Sequence, residues 1–309
     1  MSVDQPRNLA ASVRQRLLNI AKRNGEAFDL VLTRYALERL LYRLGNSRYH
    51  NQFLLKGAML FAVWGGAPHR PTRDLDLLGF GPNDLPQVQA VFQNICQVPV
   101  EPDGLEFLPD TVRVSEIRED QEYQGMRVLF DAKLENAIIP IQVDIGYGDA
   151  VTPAPQEISY PTLLEFPAPQ LRAYPIYTVV AEKFQALVLL GIANSRMKDF
   201  YDIWVIMRNF EFDGATFTKA IQATFERRNT PIPIAAPLAL TENFARDTAK
   251  QTQWNAFLRK NALTADNLPL PEIIVALHDF LMPPTVALAK KLKYDATWPA
   301  GGPWCTSTA

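Results

Sequence analysis

Apolar residues recur every three to four positions at the start of the chain, and this spacing predicts two amphipathic helices. The first covers Leu9–Lys22, with Val13, Leu17, Leu18 and Ala21 on one stripe, and Asn24-Gly25 stops it. The second covers Asp29–Leu44, with Leu30, Leu37, Leu40, Leu41 and Leu44 apolar, and Gly45-Asn46 closes it. The spacing then shortens. Phe53–Lys56 predicts a short strand, Ala58–Trp64 a helix ended by Gly65-Gly66, and Asp74–Phe80 a second strand. Gly81-Pro82-Asn83 is a turn before a helix over Leu85–Cys96. The acidic stretch Val100–Glu122, which also holds Arg113 and Arg118, reads as a surface strand with loops. Met126–Leu134 and Ala137–Ile145 then alternate as an antiparallel hairpin turning at Glu135-Asn136.

Prolines crowd the stretch from Thr152 to Pro175, which predicts a linker or an extended crossing segment. Beyond it the pattern is helical. Val179–Leu190, Lys198–Arg208, Gly214–Arg227 and Glu242–Leu258 are four expected helices, with shorter ones over Pro269–Leu281 and Thr285–Leu292. The tail from Trp298 is rich in small and polar residues and is expected to be loose. The predicted fold class is α+β followed by all-α. Residues 1–170 form a domain with two leading helices, and residues 171–309 form a helical domain that contributes to the active site.

Composition narrows the function classes. A formal net charge of −2 leaves no global basic field, so any nucleic-acid contact must be a local patch. One such patch is a run of arginines and lysines in the two leading helices, among them Arg14, Arg16, Arg34, Arg39 and Arg43. It reads either as solvated helix faces or as a phosphate-backbone surface. Two distant cysteines, Cys96 and Cys305, make neither a disulfide framework nor a zinc site. Met1–Arg7 is polar and no uninterrupted apolar run approaches a membrane span, so a cytoplasmic protein with no membrane partner is expected.

Candidate chemistry centres on Asp74-Leu75-Asp76. Residues two apart on a strand share a face, and two strand rises set them about 6–7 Å apart. At that distance two carboxylates repel by roughly 2–3 kcal/mol at an effective dielectric of about 20. A neighbouring cation offsets this. The arginines beside them, Arg70 and Arg73, make a plain charge network, whereas a divalent metal also prepares phosphate chemistry. Gly57-Ala58 opens the preceding helix, where unpaired N–H groups favour a phosphate and glycine allows close approach. Asp144 lies in an apolar strand, so it needs a partner against a desolvation cost of several kcal/mol. Further on stand Glu182-Lys183 and Arg196-Met197-Lys198-Asp199-Phe200-Tyr201-Asp202, with Asp199 and Asp202 on one helix face. Lys183 reads as a solvated lysine or as a phosphate partner, and Asp199 as a helix cap or a site residue. His69 sits in the loop beside the aspartate pair.

These segments taken together resemble the AbiEii/AbiGii toxin family, which belongs to the polymerase-β-like nucleotidyltransferases and includes the MenT toxins. The matching residues are Lys56-Gly57-Ala58, Arg73-Asp74-Leu75-Asp76-Leu77, a later strand aspartate, Glu182-Lys183 and Arg196-x-Lys198-Asp199-x-x-Asp202. The resemblance runs from the leading helices to about residue 210. It implies a polymerase-β-like core with a mixed sheet and an enzyme that moves NMP from an NTP to a hydroxyl acceptor. The implied acceptor is the tRNA 3′ end, and the implied setting is a bacterial toxin with a cognate antitoxin. By the same resemblance Asp74, Asp76 and Asp144 hold Mg²⁺, with Mn²⁺ as the alternative ion, and Asp144 either deprotonates the hydroxyl or shares a second metal. Lys56, Gly57, Ala58, Arg73 and Lys183 approach the nucleotide, and Lys198, Asp199 and Asp202 support it. Ala58 departs from the Gly or Ser common after the first glycine, so only backbone can serve there. That departure keeps open a rival reading, a nucleotide- or RNA-binding regulator of the same fold without turnover.

Overall fold

A computed structural model describes residues 8–65, 70–81, 83–117, 125–263 and 269–306. The expected stop at Gly66, the loop residue His69, Pro82, Arg118 and the extreme ends lie outside the described residues. The contacts divide the chain into two compact units. The first comprises Met1–Gly148 and Gln156–Ala173, and the second Asp149–Pro155 and Tyr174–Ala309.

In the first unit, α1 spans Leu9–Asn24 and α2 spans Phe28–Gly45. The Asn8 side chain caps α1 by accepting from the Ala11 N–H at 3.0 Å. Strand β1 (Phe53–Lys56) leads through a 3-10 turn at Gly57–Met59 into a six-residue helix, α3 (Leu60–Gly65). Then come β2 (Asp74–Gly79), α4 (Leu85–Cys96), and the long strands β3 (Leu105–Ile117), β4 (Gly125–Leu134) and β5 (Ala137–Tyr147). The proline-dense stretch is more than a linker. It contributes β6 (Gln156–Ser159) and β7 (Gln170–Ala173), and β7 spans the domain boundary expected at 170/171.

These strands form one mixed sheet in the order β3-β4-β5-β2-β1-β7-β6. The β2–β5 and β1–β7 pairs are parallel, and the other pairs are antiparallel. Alternation gives the sheet two different faces. Val128, Phe130, Ile141, Val143, Leu75 and Leu77 are buried on one face, where Phe92 of α4 packs on Phe130 and on Phe53. The other face carries Asp74, Asp76, Arg127, Gln142 and Asp144, all only partly buried. Burying roughly six such aliphatic and aromatic side chains at about 1.5–3 kcal/mol each holds the register that this polar face depends on.

Much of the basic patch in the leading helices turns inward. Arg39 and Arg43 are buried with Glu38 and Asp103, Arg34 pairs with Glu26, and Arg14 lies 3.8 Å from Glu135. That overturns the phosphate-backbone reading for Arg39 and Arg43, which are buried. The buried network has a second consequence. Asp103 takes two bonds from Arg43, at 2.7 and 3.1 Å, and lies 3.3 Å from Arg39 Nε. Among the described residues Glu38 meets Arg39 Nη1 at 3.3 Å and the Leu163 N–H at 2.7 Å.

The second unit contains α5 (Ile176–Leu190), α6 (Met197–Asn209), β8 (Phe212–Asp213) and α7 (Gly214–Arg227). After them come α8 (Glu242–Arg246), α9 (Thr248–Lys260), α10 (Leu270–Ala289), β9 (Ala296–Trp298) and β10 (Cys305–Thr306). Three expectations change here. The helix expected over Glu242–Leu258 breaks at Asp247, whose side chain caps α9 by accepting from the Lys250 N–H at 2.9 Å. The helices expected on either side of Pro283-Pro284 are one continuous α10. A proline removes the N–H that would bond the carbonyl four residues back. For Pro284 that carbonyl is Phe280 O, and Trp304 Nε1 donates to it at 2.9 Å instead. The tail is anchored rather than loose. Strands β8, β9 and β10 form a small sheet, Trp298 and Trp304 pack on Phe280, and Trp298 Nε1 donates to Met207 O at 2.7 Å.

Two stretches, Ile176–Ala193 and Leu270–Ala289, have 18-residue windows of mean hydropathy 1.5 and 1.4, so length and composition alone would let them cross a bilayer. Val179, Val180, Phe184 and Leu187 of the first, and Ile273, Leu277, Phe280 and Leu281 of the second, are buried within the unit, as core helices are.

Burial pushes the Glu38 carboxyl up to about 7, against weaker opposing effects from the Leu163 N–H and Arg39. An acid whose folded value is raised stabilises the fold below its unfolded value of 4.5, and that contribution is lost as pH rises towards 7. The melting temperature of the chain is therefore expected to fall between pH 5 and pH 7.5, and Glu38→Gln is expected to flatten that slope in a pH series of thermal melts.

Candidate active site

The acidic corner is built by strand pairing. In the parallel β2–β5 ladder Asp76 stands opposite Asp144, and Asp74 stands opposite Gln142. All three aspartates therefore share the polar face of the sheet. One carboxylate oxygen from each lies within 4.8 Å of the others, and all three residues are half-buried. Oxygen donors of this kind suit a hard divalent cation such as Mg²⁺ or Mn²⁺. Strand β1 closes the other side. Lys56 lies opposite Asp76 in the antiparallel β1–β2 ladder, so the two share a face with Cβ atoms about 4.5–5.5 Å apart.

Gly57 follows, with φ +74. A Cβ placed there would meet Asp76 Oδ2 at 1.9 Å. The residue is thus glycine for two reasons, left-handed backbone and contact with the carboxylate. The helix after it is short, so close approach of backbone, rather than the dipole of a long helix, is what this turn contributes. Ala58 is buried at 7% exposure within that turn.

Neighbouring side chains hold the carboxylates. Arg127 on β4 donates Nε to Asp144 Oδ1 and Nη2 to Asp144 Oδ2, both at 2.8 Å, and Gln142 Nε2 donates to Oδ2 at 3.1 Å. The Thr72 hydroxyl donates to Asp74 Oδ1. None of these three stands out in the sequence. Arg127 was legible in principle, because counting back from the two-residue turn at Glu135-Asn136 pairs it with Asp144. Arg73, expected at the nucleotide, lies exposed and pairs with Asp29 at 2.6 Å, and its guanidinium holds that exposed carboxyl below its usual value.

The second expected cluster forms within the helical unit. Lys183 on α5 lies 2.7 Å from Asp199 and 2.8 Å from Asp202 on α6, and both aspartates are fully buried. Arg196 Nε reaches the other Asp199 oxygen at 2.8 Å. Burial pushes the Asp199 carboxyl up, but the charges of Lys183 and Arg196 outweigh it and hold it below the ordinary carboxylate value. Lys198 is exposed and stands outside this cluster. Glu182 faces the other way, 3.3 Å from Arg228, which also bonds Asp149 at 2.9 Å. The aromatics Phe184, Phe200 and Trp204 are buried packing residues.

The family model described as nucleotidyl transferase AbiEii toxin, Type IV TA system, matches residues 39–279. The chain belongs to the AbiEii nucleotidyltransferase toxin family. Its fold is similar to MenT4, a nucleotidyltransferase toxin from Mycobacterium tuberculosis H37Rv. That match has TM-score 0.51 and 17% identity, over 91% of this chain and 98% of that one. A second similar structure is JHP933 from Helicobacter pylori, with TM-score 0.46 and 14% identity, over 83% of this chain and 90% of that one. A comparison with curated protein sequences finds no match. Membership makes this AbiEii chain an enzyme that transfers nucleotidyl groups, with a nucleotide substrate and an antitoxin partner.

Two substitutions probe the two clusters. Gly57→Ala in this AbiEii enzyme is expected to cost about 1–2 kcal/mol for the left-handed backbone alone. It also displaces the Asp76 carboxylate, so nucleotidyl transfer is expected to vanish in an assay on folded protein. Lys183→Met removes the cation that two buried aspartates share and is expected to destabilise the chain by about 3–5 kcal/mol in urea unfolding. Unchanged stability with lost transfer would instead place Lys183 in the chemistry alone.

Proposed function

We propose that the chain moves NMP from an NTP to a hydroxyl at the 3′ end of a tRNA, in the cytoplasm, as a toxin restrained by its antitoxin. The observation that carries the reading is the convergence of one oxygen from each of Asp74, Asp76 and Asp144 on the polar face of a mixed sheet, beside the Gly57 turn. In the reaction the acceptor oxygen forms a bond to the α-phosphorus, the bond from that phosphorus to the bridging oxygen breaks, and pyrophosphate leaves with the electron pair. The hydroxyl proton passes to solvent, or to Asp144 where that residue does not hold the ion.

Asp74, Asp76 and Asp144 would hold Mg²⁺, or Mn²⁺ in its place, and the ion when bound neutralises charge on the phosphate oxygens. The residues supply the rest. The Gly57 turn lets the triphosphate approach backbone without a Cβ in the way. Lys56, on the same face, adds positive charge where the phosphates gather. Thr72, Arg127 and Gln142 keep the carboxylates aimed before substrate arrives.

The rival reading, a regulator that binds nucleotide or RNA without turnover, rests on Ala58 in place of a hydroxyl-bearing residue, and membership of a nucleotidyltransferase family weighs against it. Incubation with labelled NTPs, Mg²⁺ and total tRNA separates the two. Wild type is expected to label the tRNA and release pyrophosphate. Asp76→Ala is expected to do neither while remaining folded at the assay temperature. Nucleotide-dependent stabilisation with no pyrophosphate release from wild type would favour the regulator.

A further inference from the structure

We propose that Arg127 and Gln142 are positioning residues that turn Asp144 into a carboxylate with a single usable acceptor position, on Oδ1. The inference rests on the metal-holding reading of the aspartate triad and adds two residues to it. A carboxylate has about four lone-pair positions. Arg127 takes one on each oxygen and Gln142 takes the second on Oδ2, so among the described residues one position on Oδ1 is left. The arrangement is a two-point fork rather than a loose ion pair, because Nε and Nη2 each lie 2.8 Å from a different oxygen. A fork fixes the carboxylate plane as well as its place.

Strand geometry makes this possible without long side chains searching for each other. Arg127 is the cross-strand partner of Asp144 in the β4–β5 ladder, and Gln142 lies two residues before Asp144 on the same strand face. The pair is also accessible to a ligand. The Asp144 side chain is 18% exposed and that of Arg127 is 39% exposed, so neither is locked in the core. The bridge stands at the triad rather than further along β4. It grips the aspartate whose oxygen lies within 4.8 Å of those of Asp74 and Asp76.

Two forces on a cation oppose each other here. The guanidinium charge repels it, while the fork holds Oδ1 where it is needed. Positioning is proposed to win, because an unheld carboxylate on a strand must be ordered afresh at each binding event. The probe is Mn²⁺ alone, titrated into full-length protein and followed by electron paramagnetic resonance, together with steady-state transfer kinetics.

Arg127→Ala is expected to weaken Mn²⁺ binding about ten- to a hundredfold, the usual effect of removing a partner that orients a metal ligand. It is also expected to lower kcat with the KM for NTP nearly unchanged. Arg127→Lys, which keeps the charge without the fork, should recover neither loss, and Gln142→Ala should show a smaller loss of each. Tighter or unaltered Mn²⁺ binding by Arg127→Ala would overturn the proposal, even if its melting temperature fell. Should Arg127→Ala not fold, the Arg127→Lys and Gln142→Ala variants decide: weaker binding by either supports positioning, and wild-type binding by both overturns it. Failure of wild type itself to bind Mn²⁺ better than Asp76→Ala would instead sink the triad reading on which the proposal stands.

Discussion

The parallel pairing of β2 with β5 places Asp76 directly across from Asp144, and everything chemical about the first unit follows from that ladder. Side chains on a strand alternate, so a slip of one residue would send Asp144 to the helix-covered face and bring Val143 out. The slip is prevented from the other side of the sheet. Leu75, Leu77, Val143 and Ile145 are buried beneath α-helices, and each would have to leave that layer for the register to change. Apolar burial on one face thus sets the positions of charges on the other, at a cost in mutual repulsion of the carboxylates that the burial easily exceeds.

That repulsion is also softened locally. Arg127 and Gln142 hold Asp144, Thr72 holds Asp74, and Lys56 shares the face across from Asp76. The backbone takes part through Gly57, whose missing Cβ is what lets Asp76 lie against the turn. The corner is therefore a set of acids held in advance rather than a chance cluster. This is the condition for binding a cation and polyphosphate without first ordering the site.

The helical unit solves a related problem by a different route. Asp199 and Asp202 are fully buried, and Lys183 bridges them from the neighbouring helix. Removing a buried partner is far more costly than the pair is worth, so such a bridge fixes how α5 and α6 pack. The C-terminal aromatic layer does similar work without charge. Trp304 supplies the hydrogen bond that Pro284 cannot, which is why α10 runs through two prolines, and stacking on Phe280 ties the tail to the same helix.

Local pattern was enough for most elements. The two leading helices, the strands of the Asp74 and Asp144 segments, their hairpin at Glu135-Asn136 and the helical second half are all written in spacing that neighbours in sequence enforce. The carboxylates and Gly57 stood out for the same reason, since D-x-D and a lone apolar-strand aspartate are visible one residue at a time. Elements whose stability comes from distant partners were not legible. The strands β6 and β7 exist because β1 offers a free edge, and α10 stays whole because Trp304 reaches Phe280 O. The arginines of the first helices looked like a surface, yet Asp103 draws Arg39 and Arg43 inside. Arg127 looked like any exposed strand arginine until the ladder set it against Asp144. Short-range periodicity encodes which face a side chain takes. Which distant charge or edge meets it there is settled only when the chain closes, because that energy belongs to pairs far apart in sequence.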